Sequence, residues 1–179
     1  MNRAFAIAAI LLSVYLNTAI SVHSGALPWE VCFTPGQNCT DVIVKTISQA
    51  RTSIYVQAYS FTSAPIAKSL LEAHKRGVHV EVILDKSNRT AKYSSADFLA
   101  NQGILTFIDA QHAIAHNKIM VIDGETVITG SFNFTKAAQL HNAENLIVIK
   151  DKLLAGRYME NWKAHREHSE PYTGRGERR

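Results

Sequence analysis

The sequence is poor in the residues that form linkers and cofactor-binding loops. It has nine glycines, four prolines and two cysteines among 179 residues, so long low-complexity linkers are excluded. It lacks a Gly-rich phosphate-binding loop of the Walker or dinucleotide type, which argues against a nucleotide cofactor. Two domains of typical size, about 100 to 150 residues each, do not fit in this length. Chemistry that needs two equivalent catalytic units therefore requires a second chain.

The one long apolar run lies at the N-terminus. Residues 4–16 follow a positively charged start and are almost uninterrupted by polar side chains, which is typical of a secretory signal peptide. The run is well short of the about 20 residues that span a bilayer. Small residues predict cleavage after Ser21, with Ser24 and Ala26 as alternatives. We therefore expect residues 1–21 to be removed from a periplasmic or secreted protein, whose mature chain has no stable membrane insertion.

The two cysteines agree with export. Cys32 and Cys39 flank a turn at residues 34–36 and are placed to close a short ring in an oxidising compartment. Their Cys-x6-Cys spacing matches no common zinc or redox pattern. We therefore predict a structural disulfide, which would stabilise the fold by about 2 to 3 kcal/mol.

Hydrophobic periodicity predicts strands that alternate with helices in the first half and a hairpin in the second. This order predicts one α/β domain over residues 22–170, with a mixed, mainly parallel sheet covered by helices on both faces. Residues 171–179 are predicted to be a flexible tail. The predicted strands cover 53–59, 78–84, 104–108, 117–122, 126–128 and 145–149, and the predicted helices cover 41–50, 63–77, 95–101, 135–140 and 152–165.

Polar side chains cluster around the predicted hairpin, which turns at residues 123–124. Residues two apart on a strand share a face, so His116 and Lys118 point the same way. By the same rule Ser131 and Asn133 share a side. If the hairpin pairs these segments, an imidazole, an ammonium, a hydroxyl and an amide converge at neighbouring strand ends. Such a group suits a phosphate, because it offers a nucleophile or acid and several donors without a carboxylate at its centre.

The spacing of these residues resembles the signature of the phospholipase D superfamily: His116-x-Lys118-x4-Asp123, then Gly130-Ser131, with Asn133 two residues later. The segments 58–61 and 77–85 also resemble the family, and the resemblance spans residues 53–149. With one such motif, the chain is most similar to the small single-motif bacterial nucleases of the superfamily.

The resemblance implies a mechanism with two histidines. In the family one motif histidine attacks phosphorus to give a phosphohistidine, while a second protonates the leaving oxygen and then activates water. One imidazole cannot do both, because the attacking ring must be neutral and the acid must be protonated and lie on the opposite side of phosphorus. The resemblance therefore implies a homodimer that pairs His116 with its symmetry mate, and a reaction that uses no metal or other cofactor.

The resemblance also implies a role for each residue of the site. His116 is the nucleophile or the acid. Lys118 and Asn133 bind the non-bridging phosphate oxygens, and Ser131 supports the same cluster. Glu144 resembles the family carboxylate that hydrogen-bonds the far nitrogen of the histidine and fixes its tautomer.

Other polar residues of the region are interpreted differently. Asp123 points away from the site by strand parity, so we expect it to have a structural or supporting role. His112 and His116 could alternatively be zinc ligands on a helix, but no Glu follows His112 as in His-Glu-x-x-His, and a loop leading into a strand fits this segment better. The remaining histidines form no recognisable pattern and are interpreted as structural or exposed: His23, His74, His79, His141, His165 and His168.

The charge balance is slightly basic, with 19 Lys and Arg against 15 Asp and Glu. Lys86, Arg89 and Lys92 form a local run without an acid after Asp85, in a loop where open α/β sheets usually bind ligands. An ordinary solvated loop is the alternative. If the loop lines a groove beside His116, a two-fold dimer presents two such loops to a duplex backbone. We therefore expect a metal-independent, non-specific endonuclease that acts on DNA and on RNA.

Two other functions fit parts of the sequence. A phosphodiesterase acting on phospholipids or cardiolipin is the alternative within the superfamily, and it would favour an apolar surface at the site or a membrane anchor. The alternative that is not an enzyme is a binding module that holds phosphate in the same pocket. A pure binder would not need both the His116 imidazole and an orienting carboxylate, so we expect an enzyme.

Overall fold

An eight-stranded sheet organises the described part of the chain, residues 27–175 of a computed structural model. The predicted signal peptide and its cleavage site lie outside the described residues. The strands are β1 (Trp29–Thr34), β2 (Ser53–Ala58), β3 (His79–Asp85), β4 (Leu105–Asp109), β5 (Lys118–Ile122), β6 (Thr126–Gly130), β7 (Glu144–Lys150) and β8 (Glu170–Pro171). The helices are α1 (Cys39–Ser48), α2 (Ala64–Lys75), α3 (Ala96–Asn101), α4 (Lys136–Leu140) and α5 (Lys152–His168).

The sheet has the strand order β1-β7-β6-β5-β2-β3-β4-β8. The α/β class and the mixed sheet are confirmed, but the expectation of a mainly parallel sheet is wrong. Only β2, β3 and β4 pair in parallel in the described residues, through the crossover helices α2 and α3. The other pairs are antiparallel, because the chain returns after β4 through the loop 110–117 and inserts β5 beside β2 in the opposite direction.

Helices cover both faces of the sheet, as predicted. On one face the apolar sides of α1, α2 and α3 bury Ile43, Leu70 and Leu99 against strand residues such as Val56. On the other face α5 packs against β3, β4, β5 and β6, and the Trp162 indole donates a hydrogen bond of 3.0 Å to a β2 carbonyl. Within residues 27–175, no helix combines the length and the apolar composition needed to cross a bilayer.

The sheet edge that carries the candidate site follows from the strand directions. The parallel strands β2, β3 and β4 all end at this edge, while the antiparallel strand β5 begins there. For the same reason β6 ends there and β7 begins there. The loops that follow β3, precede β5 and follow β6 therefore meet at one edge of the molecule.

The disulfide prediction is confirmed. One of the two cysteines lies in β1, a strand that sequence periodicity did not predict. Cys32 and Cys39 are bonded, with Cα atoms 5.6 Å apart. Cys32 belongs to β1, which pairs with β7 over its whole length, and Cys39 is the first residue of α1. The bond therefore ties an outer strand of the sheet to the helix that follows it.

The C-terminal segment is ordered further than predicted. Pro171, placed by the sequence in a flexible tail, pairs with Phe107 of β4. Tyr172 is 9% exposed, and its hydroxyl donates to Asp97 at 2.6 Å. The backbone N–H of Arg175 donates to the same carboxylate at 3.0 Å. The predicted tail boundary at residue 171 is therefore too early, because a buried aromatic ring and a shared carboxylate hold this segment to the sheet.

Asp123 lies at the end of β5 that is opposite to His116. Its carboxylate accepts hydrogen bonds from the backbone N–H groups of Arg51, Thr52 and Ser53, at distances from 2.8 to 3.2 Å. Burial raises the pKa of this carboxyl, but these backbone hydrogen bonds outweigh burial and hold the pKa below its ordinary value. Asp123 therefore fastens the turn after β5 to the start of β2, away from the candidate site.

Asp123→Asn should lower stability without changing the site. Asn tolerates the backbone φ of 53° at this position but removes the charge that strengthens these hydrogen bonds, so we expect a loss of about 1 to 2 kcal/mol at pH 7. Because the folded-state pKa lies below the ordinary 3.8, this contribution is present above that value and disappears as the pH falls through the folded pKa. Urea unfolding at pH 7 and at lower pH would measure both effects.

Glu125→Gln is the matched control, since Glu125 is an exposed carboxylate of the same turn. The control should unfold like the wild type. Equal stability of the Asn variant and the wild type at pH 7 would show that Asp123 does not hold the turn.

Candidate active site at the sheet edge

His116 and Lys118 stand where β5 begins. Lys118 is paired with Ala58 of β2, and the Tyr59 N–H donates to the Asn117 carbonyl at 2.8 Å. This pairing fixes the backbone of the two residues that follow His116. The His116 side chain is exposed, and within residues 27–175 its ring nitrogens have no hydrogen-bond partner. The imidazole is therefore open to an incoming group, with its ring centroid 4.7 Å from that of Tyr59.

Lys118 carries a buried ammonium group beside this ring. The residue is 7% exposed, and its Nζ donates to the His116 carbonyl at 2.7 Å. The same Nζ lies 5.2 Å from the centroid of the Tyr59 ring, within cation–π range. Burial lowers the pKa of Lys118, and the nearby Glu144 carboxylate opposes that shift. Only part of the hydrogen-bonding capacity of this cation is used, so an anion at the sheet edge is a suitable further partner.

Ser131 and Glu144 form a second polar pair, one strand further along the sheet. The Ser131 hydroxyl donates to Glu144 Oε2 at 2.6 Å and accepts from the Asn145 N–H at 3.0 Å. Glu144 Oε1 also accepts from the Asn142 side chain at 2.9 Å. These contacts hold both side chains in place before any ligand arrives.

Gly130 allows this close approach of β6 to β7. Its φ is 137°, and a Cβ at this position would clash with the backbone carbonyl of Asn145. That carbonyl accepts from the N–H groups of Ser131 and Phe132 at 3.0 and 3.2 Å. The glycine that precedes Ser131 is thus required by sterics, in agreement with the Gly-Ser pair of the motif.

Asn133 lies two residues beyond Ser131, between the buried Phe132 and Phe134. One end of its side-chain amide, assigned as Oδ1, is buried and has no hydrogen-bond partner in the described residues. The oxygen and nitrogen of an amide are distinguished by their hydrogen bonds, so either end of the group can fill this position. A buried amide with unused hydrogen-bonding capacity is suited to contact a bound ligand.

The structure connects most of the predicted site. Tyr59 contacts both His116 and Lys118, and Glu144 couples electrostatically to Lys118 and bonds to Ser131. Sequence reasoning did not select Tyr59, although it ends a predicted strand within a segment that resembles the family. Within residues 27–175, no hydrogen bond joins the Asn133 side chain to Tyr59, His116, Lys118, Ser131 or Glu144. Asp123 lies at the far end of β5.

Glu144 does not have the partner that was expected for it. Its carboxylate oxygens bind Ser131 and Asn142, and no hydrogen bond joins it to His116 in the described part of the chain. The expectation that Glu144 fixes the tautomer of His116 is therefore not met within one chain. The side chain instead positions the Ser131 hydroxyl and stabilises the charge of Lys118.

The basic loop lies after β3 at the same edge, but its three cations differ. Lys86 donates to the carbonyl of His112 at 2.9 Å, and Arg89 forms an ion pair with Glu170. Lys92 is exposed, with its Nζ 5.4 Å from the neighbouring Tyr93 ring. Of the three, Lys92 has the charge most available to a ligand.

A cluster of histidines at this edge was missed by sequence reasoning. His112, His165 and His168 converge on the carboxylate of Asp109, although the first was expected only as an alternative zinc ligand and the other two as structural or exposed residues. A local signal existed, since Asp109 and His112 are three residues apart, as are His165 and His168. The two pairs are more than 50 residues apart in sequence, so only the fold shows that they meet.

Comparison with known proteins supports one family. A family model described as "Cardiolipin synthase, PLD-like domain" matches residues 43–166. A phospholipase D from Rickettsia felis is 48% identical over 133 residues, which are 74% of this chain and 66% of that protein. The chain therefore spans just under two thirds of the length of this relative. A mitochondrial cardiolipin hydrolase from Xenopus laevis is 29% identical over 149 residues, 82% of this chain and 71% of that protein.

A solved structure gives the same result for the fold. The crystal structure of Nuc from Salmonella typhimurium, a phospholipase D family member, superposes with a TM-score of 0.78 at 37% identity. The match covers 80% of this chain and 97% of that one. The mixed sheet and the helices on both of its faces are therefore shared over nearly the whole of Nuc.

Lys118→Met should leave the fold as stable as the wild type or make it more stable. The variant replaces a buried cation by an apolar chain of similar volume, which removes the cost of burying the charge. Because the folded-state pKa of Lys118 lies below its ordinary 10.5, that cost decreases as the pH rises through the folded value. The advantage of the variant should therefore narrow at alkaline pH.

Thermal unfolding at several pH values would measure this effect, with the exposed Lys68→Met as the matched control. A fall of several degrees in the midpoint of Lys118→Met alone would mean that the ammonium is a stabilising element of the fold and not a group held ready for a ligand.

Proposed function

The chain belongs to the phospholipase D superfamily of phosphodiesterases, and from this membership we propose that it is a metal-independent, non-specific endonuclease that hydrolyses phosphodiester bonds in DNA and in RNA. The observation that carries the proposal is the exposed ring of His116, which has no hydrogen-bond partner in residues 27–175, close to the buried ammonium of Lys118. An imidazole next to a fixed cation is suited to attack a phosphorus atom whose oxygens carry negative charge.

The proposed phosphate site uses donors from two neighbouring strand ends, the start of β5 and the segment after β6. Lys118 provides a cation with little water around it, where its attraction for an anion is stronger than on an open surface. The side-chain NH₂ of Asn133 is a further donor to a non-bridging oxygen when the amide is oriented with its nitrogen at the end that has no partner in residues 27–175. Ser131, held by Glu144, supports this cluster from the next strand. We assign Asp123 a structural role.

The proposed reaction has two steps that balance. A neutral His116 attacks phosphorus and forms a P–N bond while the P–O bond to the leaving group breaks. The leaving oxygen takes its proton from a second, protonated imidazole. That imidazole, now neutral, accepts a proton from water as the water oxygen attacks phosphorus and the P–N bond breaks. Both rings return to their starting protonation states, and no metal ion takes part.

The second imidazole is proposed to be His116 of the partner subunit. Within the described part of one chain, no other histidine contacts the Tyr59–Lys118 group, so one chain supplies half of the histidine pair. A two-fold axis beside the exposed ring would place a second copy of the same residue opposite the first. The homodimer is therefore part of the proposed active site, and the two rings would titrate as a coupled pair.

Nucleic acid is proposed as the substrate because of the charge at the same edge. Lys92 is exposed next to Tyr93, which is 74% exposed, and a cation beside an open aromatic ring suits a phosphate chain with stacked bases. Lys86 holds the loop before His116 through the His112 carbonyl while it adds positive charge. Contacts of this kind are made to the sugar-phosphate backbone of the nucleic acid, so they do not select a base sequence.

A phospholipid is the second candidate substrate. Ile114 lies two residues before His116 and is 56% exposed, which offers an apolar contact beside the catalytic ring. The names of the Rickettsia felis and Xenopus laevis relatives point the same way. Both candidates use the same phosphodiester chemistry, so the substrate must be decided by assay.

We also propose that the protein acts outside the cytoplasm. The Cys32–Cys39 disulfide is typical of oxidising compartments, and the sequence predicts a signal peptide over residues 1–21. Nucleic acid in the periplasm or outside the cell has no single base sequence, which agrees with an enzyme that cleaves without sequence preference.

Purified protein should cleave plasmid DNA and single-stranded RNA in excess EDTA, because the proposed reaction needs no metal. His116→Ala removes the nucleophile and should lower the rate by about 10³-fold or more. His79→Ala is the matched control, since His79 is an exposed histidine paired with Glu81 at the opposite edge of the sheet, and it should leave the rate unchanged.

The same samples would be offered phosphatidylcholine and cardiolipin vesicles. Faster hydrolysis of a lipid than of DNA would replace the nuclease by the second candidate. Loss of cleavage when EDTA is present, or full activity of His116→Ala, would contradict the mechanism for either substrate.

A further inference from the structure

A histidine cluster next to the candidate site has the composition of a metal centre. We propose that Asp109, His112, His165 and His168 bind one divalent transition-metal ion, with Zn²⁺ as the best match. The ion would fasten the C-terminal end of α5 to the loop that leads to His116. The site would be structural, and the proposed phosphodiester chemistry would take place without it.

The four side chains already meet at one point. One potential ligand atom from each lies within 4.8 Å of those of the other three. Asp109 Oδ2 lies 2.7 Å from His165 Nδ1, 3.1 Å from His112 Nδ1 and 3.3 Å from His168 Nε2. Side chains from the end of β4, the following loop and the last turn of α5 therefore converge on a single oxygen.

Hydrogen bonds alone do not satisfy this arrangement. Asp109 is fully buried, and its Oδ1 also accepts from the Gln111 N–H at 3.1 Å. His112 and His165 make hydrogen bonds to the carboxylate, whereas His168 Nε2 lies 3.3 Å from Asp109 Oδ2 but makes no well-aligned hydrogen bond in the described residues. A buried ring nitrogen in this position can bind a further partner. A metal ion shared by the four groups would provide one.

The spacing of the rings supports the same proposal. The three imidazole centroids are 4.8 to 5.4 Å apart. Each imidazole can offer a nitrogen lone pair to a metal ion. One divalent ion would take these lone pairs and place its positive charge next to the carboxylate of Asp109. The cluster therefore matches one divalent cation.

The donor set selects the kind of metal. Three imidazole nitrogens and one carboxylate oxygen suit Zn²⁺, Cu²⁺, Ni²⁺ or Co²⁺, whereas Mg²⁺ and Ca²⁺ prefer sites made of oxygen. Four protein ligands around Zn²⁺ at about 2.0 to 2.2 Å form the closed tetrahedron of structural zinc sites. Neighbouring ligand atoms in such a tetrahedron are about 3.3 Å apart. Ligand atoms that are now up to 4.8 Å apart would therefore move closer together, and the 2.7 Å pair of Asp109 Oδ2 and His165 Nδ1 would separate slightly. The side chain of His112 is 43% exposed and gives an ion access from solvent.

The ion would act on the loop that carries His116. Two anchors of this loop are visible: Lys86 donates to the His112 carbonyl at 2.9 Å, and the Ala115 N–H donates to Asp85 at 2.8 Å. Both come from the end of β3. A metal bound through His112 would add an anchor from α5 on the other side of the loop. The expected effect is on the stability of the fold, and the proposed reaction at His116 does not require the ion.

Metal binding can be measured without any substrate, so the test does not depend on the proposed function. Protein made without a polyhistidine tag would be stripped with a chelator and titrated with ZnCl₂ against a coloured competing chelator. We expect one ion per chain. At a free concentration about a hundred times the Kd, the midpoint of thermal unfolding should rise by about 5 to 10 °C. Co²⁺ would report four-coordinate nitrogen and oxygen ligation through its visible absorption.

Two variants locate the site. His112→Ala removes an exposed ligand with little risk to folding, and His165→Ala removes a ligand from α5. Each should weaken Zn²⁺ binding by about 100-fold or more and abolish the thermal shift. His79→Ala lies outside the cluster and should bind like the wild type. Absence of stoichiometric binding, or unchanged affinity in both ligand variants, would overturn the proposal.

Discussion

The site depends on the contacts that the buried ammonium group of Lys118 makes with its neighbours. Pairing of β5 with β2 brings Lys118 beside Tyr59, and the lysine then holds the carbonyl of His116. Its attraction to Glu144 reaches across to β7, and Glu144 in turn fixes Ser131 after β6. Four strands thus contribute to one polar group around one cation. Burial of that cation costs free energy unless an anion compensates its charge, and the proposed phosphodiester substrate would supply such an anion.

The sequence predicted the chemical groups better than their surroundings. Local spacing was enough to select His116, Lys118, Ser131 and Asn133, because these residues lie on strands or next to them. Which strands become neighbours is decided by packing between distant segments, so β1 and the antiparallel insertion of β5 were not foreseen. Strand parity was not the decisive argument for Asp123. This residue is separated from the site by the length of β5, and only the structure identified its backbone partners.

The same limit explains the histidine cluster. The pair Asp109 and His112 and the pair His165 and His168 do not indicate a metal site when each is considered alone. They meet only after α5, a helix of 17 residues, has packed against the sheet. The cluster and the proposed active site share the loop 110–117, with Asp109 at its start and His116 near its end. A metal-independent reaction and a metal-stabilised fold are therefore compatible in this chain, because the proposed ion would hold the loop and the proposed chemistry would occur at its far end.

The central claim is that two copies of His116 form one active site. The most direct measurement uses heterodimers of one wild-type chain and one His116→Ala chain, isolated by two different affinity tags, in a DNA cleavage assay. A shared pair predicts activity below about 1% of the wild-type dimer, because every site lacks one of its two imidazoles. Heterodimers of wild-type and His79→Ala chains should retain full activity. Half of the wild-type activity in the His116→Ala heterodimer, or an active monomer, would contradict the account.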